Sequence, residues 1–471
     1  MLEVQERIVR RARKGLHRGL GLVSADLLEQ TLADHPHLTD EQRNLVTAWC
    51  TSGSRYQTAV GRAGAGKTTS VAAAAQAWQA GGHRVIGAAV KGQAARTLAA
   101  ATDIDCETVA WYLAHDDPHH SPFDTRTVVV VDEASTISDR DLDRLMAMTA
   151  SAGATLRLIG DPAQHGAIEA GGMFGVLCRP VRPPDPELAT THRLQDPQDR
   201  AAAEALREGR IDEALDRLQQ AGHLHVVDND LDLYRHVLAR WWNAHLQGRD
   251  HPMVDRRNTT RHQLNRLAHQ LRQIHGEVST EEITASGDRR FSVGDRITAR
   301  APNRDLHPTG NRDAYVRNGA LGTITAIHHA PRRQDDTITA DFDGLGAIHL
   351  PRSFFDHHTN RRGHPEVGID HAYALTSHAV QGSTHDLSTS RLDATATRAE
   401  AYVDITRGQH ANHLDLTATT DPLDGEALPR SQPAADEAVT ARLHRSTSEL
   451  TAWELAHALT ETASLDRAVE L

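Results

Sequence analysis

The sequence predicts an α/β protein: two doubly wound, parallel-sheet domains, with a small β barrel inserted in the second. Three observations point there. Short apolar runs alternate with helical stretches between residues 38 and 193, the pattern of a parallel sheet with crossover helices. Val128–Val131 is a run of four valines, the composition of a strand buried on both faces. A glycine-rich loop stands between an apolar run and a helical one, where such folds bind ligands.

Taken in order, residues 1–37 read as one or two amphipathic helices, with Ser24 placed to cap the second. The first doubly wound domain spans 38–193. Tyr56–Val60 is its first strand and Thr68–Ala80 its helix, stopped by Gly81 and Gly82. Arg84–Val90, Val128–Val131 and Thr155–Ile159 are further strands, and Gln93–Ala101 a helix. Residues 194–290 and 351–420 form the second doubly wound domain, with helices at Ala201–Arg207 and Ile211–Gln220. Between them, 291–350 alternate apolar and polar residues from Val293 to Ile297 and from Gly319 to Ile327, as strands of the inserted barrel do. Residues 421–471 read as a linker and a closing helix.

Composition narrows the class. The chain has 471 residues, 39% hydrophobic and 24% charged, with net charge −12. That balance excludes a basic nucleic-acid coat protein but leaves room for a narrow basic groove. No stretch reaches the roughly 18 apolar residues of a membrane span, and no apolar run follows the basic N-terminus as a signal peptide needs; a cytoplasmic protein without membrane contact is expected. Cys50, Cys106 and Cys178 have no spacing of a disulfide framework or a zinc knuckle. His115, His119 and His120, and His357, His358 and His364, read as solvated loop residues rather than metal sites. Lys14, Lys67 and Lys91 are the only lysines, which singles out the one inside the glycine-rich loop.

That loop, Gly61-Arg62-Ala63-Gly64-Ala65-Gly66-Lys67-Thr68, fits the phosphate-loop pattern at every specified position. Its amides and the following helix N-terminus cradle phosphates, Lys67 reaches the β- and γ-phosphates, and the Thr68 hydroxyl binds Mg²⁺. Asp132 and Glu133 end the valine strand. Asp132 is placed to hold Mg²⁺, and Glu133 to take the proton from the attacking water. ATP and Mg²⁺ are the cofactors this set implies.

Further phrases follow in a fixed order: Gly160-Asp161-Pro162-Ala163-Gln164; Thr191-His192-Arg193; Thr376-Ser377-His378 with Gln381-Gly382-Ser383-Thr384; and Tyr402-Val403-Asp404-Ile405-Thr406-Arg407-Gly408. With the phosphate loop they resemble the motifs of superfamily 1B DNA helicases of the RecD-like branch, and most nearly the helicase half of TraA- or TrwC-type conjugative relaxases. The phrase Tyr315-Val316-Arg317-Asn318-Gly319 inside the predicted barrel is similar to that branch's Src-homology-3-like insertion. The resemblance covers roughly residues 38–416 and implies that the two doubly wound, parallel-sheet domains are RecA-like motor domains.

The resemblance implies ATP-driven, 5′-to-3′ translocation on single-stranded DNA. It makes Gln164 a γ-phosphate sensor, and Arg193 and Arg407 γ-phosphate contacts from the wall facing the phosphate loop; such an arginine is worth about 10³–10⁵ in rate. It adds Thr69 and Gly382 to the nucleotide contacts and makes Gln42 a reader of the adenine edge. The same Gln42 forms a capping box with Thr39, a purely local explanation. Gly92, Gln93, Thr108, Trp111, Thr376, Ser377 and His378 become DNA contacts, although a tryptophan at helical spacing fits a core position as well. Val90-Lys91-Gly92-Gln93 and Ala379 depart from the family's usual residues and put DNA grip in doubt. Residues 1–37 have no room for a nickase, so a motor without that domain is expected. Its further partners would be a separate relaxase or conjugation and repair proteins. Two rival functions stay open: an ATP-binding loading or scaffold module that does not translocate, and an RNA-directed motor.

Overall fold

The computed structural model describes residues 1–117, 121–167, 170–179, 186–227, 229–308, 310–311, 314–359, 365–417, 435–445 and 451–457. The chain divides into two compact units, Met1–Arg193 with Ser446–Leu471, and Leu194–Arg445.

The first unit is built on a six-stranded sheet in the order Asp105–Thr108, Arg84–Ala89, Thr127–Asp132, Thr155–Gly160, Tyr56–Gly61, Glu187–Leu188. Every pairing is parallel. Side chains of a strand point alternately to opposite faces, and the valine strand shows it. Val129 and Val131 enter one apolar cluster with Ile8, Ile86, Leu156 and Leu158. Val128 and Val130 enter another with Leu45, Trp49, Val71 and Trp78. Both faces are dry, so the strand needs apolar residues at every position. Helix Lys67–Ala80 starts immediately after the glycine-rich loop and ends at Gly81.

The N-terminal segment forms helices Leu2–Lys14 and Ala25–Asp34. Ser24 occupies the N-cap position of the second, but its hydroxyl makes no capping hydrogen bond. Residues 452–457 are helical and return to this unit, where the Trp453 amide donates to Gln5 Oε1 at 2.8 Å.

The second unit contains a five-stranded parallel sheet in the order Ala374–Leu375, Met253–Val254, His385–Asp393, Gly408–Thr417, Leu224–Val227. Between helix Asn258–Ile274 and strand Ala374–Leu375 the chain builds a five-stranded antiparallel sheet, Gly346–Pro351, Thr337–Phe342, Leu321–His328, Arg296–Ala299, Ile369–His371. Its apolar core runs from Ile283 to Ile369, so the block extends beyond 291–350 on both sides. A three-residue strand such as Ile369–His371 is too short to show alternation in sequence. Among the described residues this ladder keeps two edge strands, Gly346–Pro351 and Ile369–His371.

Within the stretch read as a linker, residues 435–445 form a helix, Ala435–Arg445, with Val439 and Leu443 buried. Residues 421–434, 446–450 and 458–471, and with them most of the expected closing helix, lie outside the described residues, as do His119, His120 and His364. The three cysteines are free, and burial pushes the Cys50 thiol up to about 12. Among the described residues no helix is long and apolar enough to cross a membrane.

Candidate nucleotide site

The phosphate loop links strand Tyr56–Gly61 to helix Lys67–Ala80 at the carboxyl edge of the first sheet. Gly64 and Gly66 have φ of +73° and +78°, a region that disfavours side chains. Both also lack room: a β-carbon on Gly64 would meet Arg193 Cβ at 2.3 Å, and one on Gly66 would meet Gln42 Nε2 at 2.2 Å. Lys67 turns back over the loop, its Nζ donating to the Gly61 carbonyl at 3.2 Å and lying 3.5 Å from Glu133 Oε1.

Asp132 and Glu133 arrive from the valine strand, which strand Thr155–Gly160 separates from Tyr56–Gly61. Glu133 itself has φ +51°, and its amide donates to Asp132 Oδ1 at 2.8 Å. Burial, then the charge of Glu133, pushes the Asp132 carboxyl up to about 6, against the pull of Lys67. Two adjacent desolvated carboxylates beside phosphate-binding groups favour a divalent cation, which would remove their mutual repulsion. Thr68 stands in the first turn of the helix on the same loop.

Gln164 is buried at 3% exposure beyond strand Thr155–Gly160. A turn places it: the Gln164 amide donates to the Asp161 carbonyl at 3.1 Å, and the Ala163 amide to Asp161 Oδ1 at 3.1 Å.

Helix Asp40–Thr51 secures the loop from its other side. Thr39 and Gln42 do form the capping box. The Gln42 amide also reaches out, with Nε2 donating to the Ala65 carbonyl at 3.3 Å. Each end of that amide is thus engaged by the chain itself, and a base edge would have to use its second proton or lone pair. Glu41 was not anticipated. Its carboxylate accepts from the Ala189 amide at 2.9 Å and from the Thr190 amide and hydroxyl at 3.0 Å. Burial opposes its charge, but these hydrogen bonds from Thr190 and Ala189 outweigh it and hold the carboxyl below its ordinary range. The only sequence signal is an acidic residue in a helix's first turn, which the helix dipole explains equally well.

The segment held by Glu41 runs onto the loop. Thr191 Oγ1 donates to the Ala63 carbonyl at 2.7 Å, and the His192 amide to the Gly64 carbonyl at 2.9 Å. Arg193 therefore corrects the expectation of an arginine on a facing wall. It belongs to the unit that carries the loop and packs against Gly64. The reason is topological: strand Glu187–Leu188 pairs in parallel with Tyr56–Gly61, so its continuation must run beside the phosphate loop.

Arg407 also differs from expectation. It is 1% exposed, with Nε donating to the Val403 carbonyl at 2.8 Å and Nη2 to Thr406 Oγ1 at 2.8 Å. Nη1 donates to the Val380 and Ser383 carbonyls at 3.3 and 3.4 Å. The guanidinium joins the turn containing Gly382, which has φ +87°, to helix Arg398–Asp404. It is not presented on a surface. Beside it, burial pushes the Asp404 carboxyl up to about 8 despite a hydrogen bond with Ser377.

The expected DNA contacts mostly have local tasks. Thr108 caps helix Val109–Ala114 through the Trp111 amide. Trp111 is half-buried against the first core cluster and stacks on His115 at 4.0 Å between ring centroids. Thr376 caps helix Ser377–Val380, Ser377 is buried and His378 half-buried. Gly92 and Gln93 open helix Gly92–Thr102, with Gln93 exposed. Arg62 pairs with Glu187 at 3.4 Å, and Thr69 is exposed on the helix face.

Comparison with known proteins agrees with this geometry. Residues 37–229 match a family described as an AAA domain. The chain is 28% identical over 397 residues to the conjugal transfer protein TraA of Agrobacterium fabrum, and 27% over 396 residues to that of Rhizobium radiobacter. In each case the match covers 84% of this chain and 34% of the relative, so the chain spans about a third of those proteins. A crystal structure of Bacteroides Pif1 bound to single-stranded DNA superposes with a TM-score of 0.51 at 16% identity, over 80% of this chain and 92% of that one. The chain is therefore similar in sequence to a third of the TraA conjugal transfer proteins, and shares its fold with Bacteroides Pif1.

Proposed function

We propose that the protein is an ATP-dependent DNA helicase that hydrolyses ATP with Mg²⁺ to move along single-stranded DNA, in the 5′-to-3′ direction. The observation that carries this reading is the meeting of Lys67 and Glu133, 3.5 Å apart beside Asp132, at the mouth of a phosphate loop.

The amides of Gly64 to Thr68 and the helix N-terminus receive the phosphates, and Lys67 exchanges its contact with Gly61 for the β- and γ-phosphates. Thr68 and Asp132 hold Mg²⁺, which neutralises charge on the phosphates when bound. Glu133 orients the attacking water and accepts its proton. Gln164 lies where the strand edge can sense the γ-phosphate, and Arg193 stands against the loop to contact it. The antiparallel block takes the place of the Src-homology-3-like insertion. Single-stranded DNA as the track is supported by the Bacteroides relative's complex and by the likeness to TraA. A cytoplasmic protein working with conjugation or repair proteins fits the same relationship.

Burial of Arg407 favours a second reading, a nucleotide switch that binds and hydrolyses ATP without translocating. Steady-state ATP hydrolysis with and without single-stranded DNA or RNA, beside Lys67→Ala, separates them. Stimulation by DNA that is lost in the variant supports the motor, and strand displacement on tailed duplexes then fixes polarity. Lys67-dependent hydrolysis indifferent to either nucleic acid supports the switch, and preferential stimulation by RNA the RNA-directed alternative.

A further inference from the structure

In the second unit, three side chains from separate parts of the sequence converge where the antiparallel block joins the parallel layer. His269 lies on the buried face of helix Asn258–Ile274. Asp295 stands immediately before strand Arg296–Ala299, and His371 ends strand Ile369–His371, which pairs with it through Ile297. All three are at most 4% exposed. Their candidate ligand atoms lie within 4.8 Å of one another: His269 Nδ1 is 2.9 Å from Asp295 Oδ1, and His371 Nε2 is 3.4 Å from Asp295 Oδ2.

We propose that His269, Asp295 and His371 bind a first-row divalent cation, zinc above all, that fastens the antiparallel block to helix Asn258–Ile274. Imidazole nitrogens with one carboxylate are a donor set for zinc and its neighbours. A tetrahedral ion with bonds of about 2.0–2.2 Å sets its ligand atoms roughly 3.4 Å apart, close to the 2.9 and 3.4 Å that separate the two imidazoles from Asp295.

Three features distinguish this cluster from a chance meeting of polar groups. His371 Nε2 is buried and makes no hydrogen bond of good geometry among the described residues, its nearest charged partner being Asp295 Oδ2 at 3.4 Å. The other nitrogen of His269, Nε2, is 3.3 Å from Glu282 Oε1. That is the arrangement in which a carboxylate orients a ligating histidine and fixes its tautomer. Asp295 is itself held from outside, by the Tyr373 hydroxyl on Oδ1 at 2.7 Å and the Ser292 amide on Oδ2 at 2.7 Å. A carboxylate offers about four acceptor sites, so each oxygen keeps one for the ion. Arg272, which donates to the Tyr373 hydroxyl at 2.8 Å, lies behind that phenol and tempers the site's negative charge. The fourth position is left to water.

The test titrates the full, metal-stripped chain with Zn²⁺ by calorimetry, and with Co²⁺ by its visible absorption, which reports coordination geometry. Thermal unfolding is followed in the same samples. The expected result is a single tight equivalent, a tetrahedral Co²⁺ spectrum and a rise in unfolding temperature with Zn²⁺, all lost in His371→Gln and Asp295→Asn. Because those variants alter buried groups, Glu282→Gln is included; its side chain is 23% exposed. It should keep the fold and weaken Zn²⁺ binding by about 10–100-fold. The chain has 31 histidines, so weak surface binding is expected and does not count. Absence of a tight equivalent in the parent chain overturns the proposal, as does tight binding with the same affinity in the variants.

Discussion

Gly64 and Arg193 touch across the phosphate loop: the Gly64 carbonyl accepts the His192 amide at 2.9 Å, and a β-carbon on Gly64 would lie 2.3 Å from Arg193 Cβ. The loop is thus braced by the segment that carries a candidate catalytic arginine. Gly64→Ala should cost roughly 1–2 kcal/mol through its left-handed backbone alone. Displacing Arg193 by about 1 Å should lower kcat by about 10²-fold. Urea unfolding and steady-state hydrolysis read the two effects separately. Wild-type turnover in this variant would show that Arg193 need not stand where it does.

Glu133 and Lys67 should separate chemistry from binding. Glu133→Gln keeps the shape of the site but removes the proton acceptor, so kcat falls by about 10²–10⁴-fold while fluorescent nucleotide binding persists. Lys67→Ala should lose binding as well. Equal loss of binding in both variants would contradict the general-base assignment.

Arg407 is predicted to matter for stability. Its truncation removes a charged donor from the Val380, Ser383 and Val403 carbonyls and empties a buried site. Arg407→Ala should therefore destabilise the second unit by on the order of 3 kcal/mol, seen as a lower denaturation midpoint. A midpoint unchanged while hydrolysis is abolished would restore a γ-phosphate contact as its sole task.

The second unit should also be acid-sensitive. Burial, then the charge of Arg240, pushes His251 down to about 4 and His413 to about 3, from an ordinary 6.5. The unfolded chain binds those protons first, so the stability held by neutral imidazoles is complete above pH 6.5. It is lost progressively as pH falls toward 4 and 3. Unfolding temperatures measured from pH 7.5 to 5 should fall, and His413→Gln should flatten the slope. An equal slope in the variant would assign the acid response to other groups.

Much of the first unit could be read directly. The strand through Val131, the loop and helix Lys67–Ala80, and the Thr39–Gln42 capping box rest on neighbours in sequence, where spacing and backbone conformation carry the information. The same locality explains why Gln42 had two readings: it does complete the capping box of Thr39, and capping leaves the same residue pattern as a ligand contact, as Thr108 and Thr376, read as DNA contacts, also show by capping helices. Ser24 shows the converse, a capping residue in position whose bond is not made.

By itself, the sequence determined that a phosphate loop and a carboxylate pair stand at the ends of strands of one parallel sheet, because periodicity and glycine placement act over a few residues. Only the tertiary structure decided that Glu41 grips Thr190, that Arg193 lies on the loop, that Arg407 is enclosed by carbonyls, and that His371 faces Asp295. Those meetings are set by which strands pair and in what register. Register is fixed by burial summed over whole sheets, which no short stretch of residues encodes.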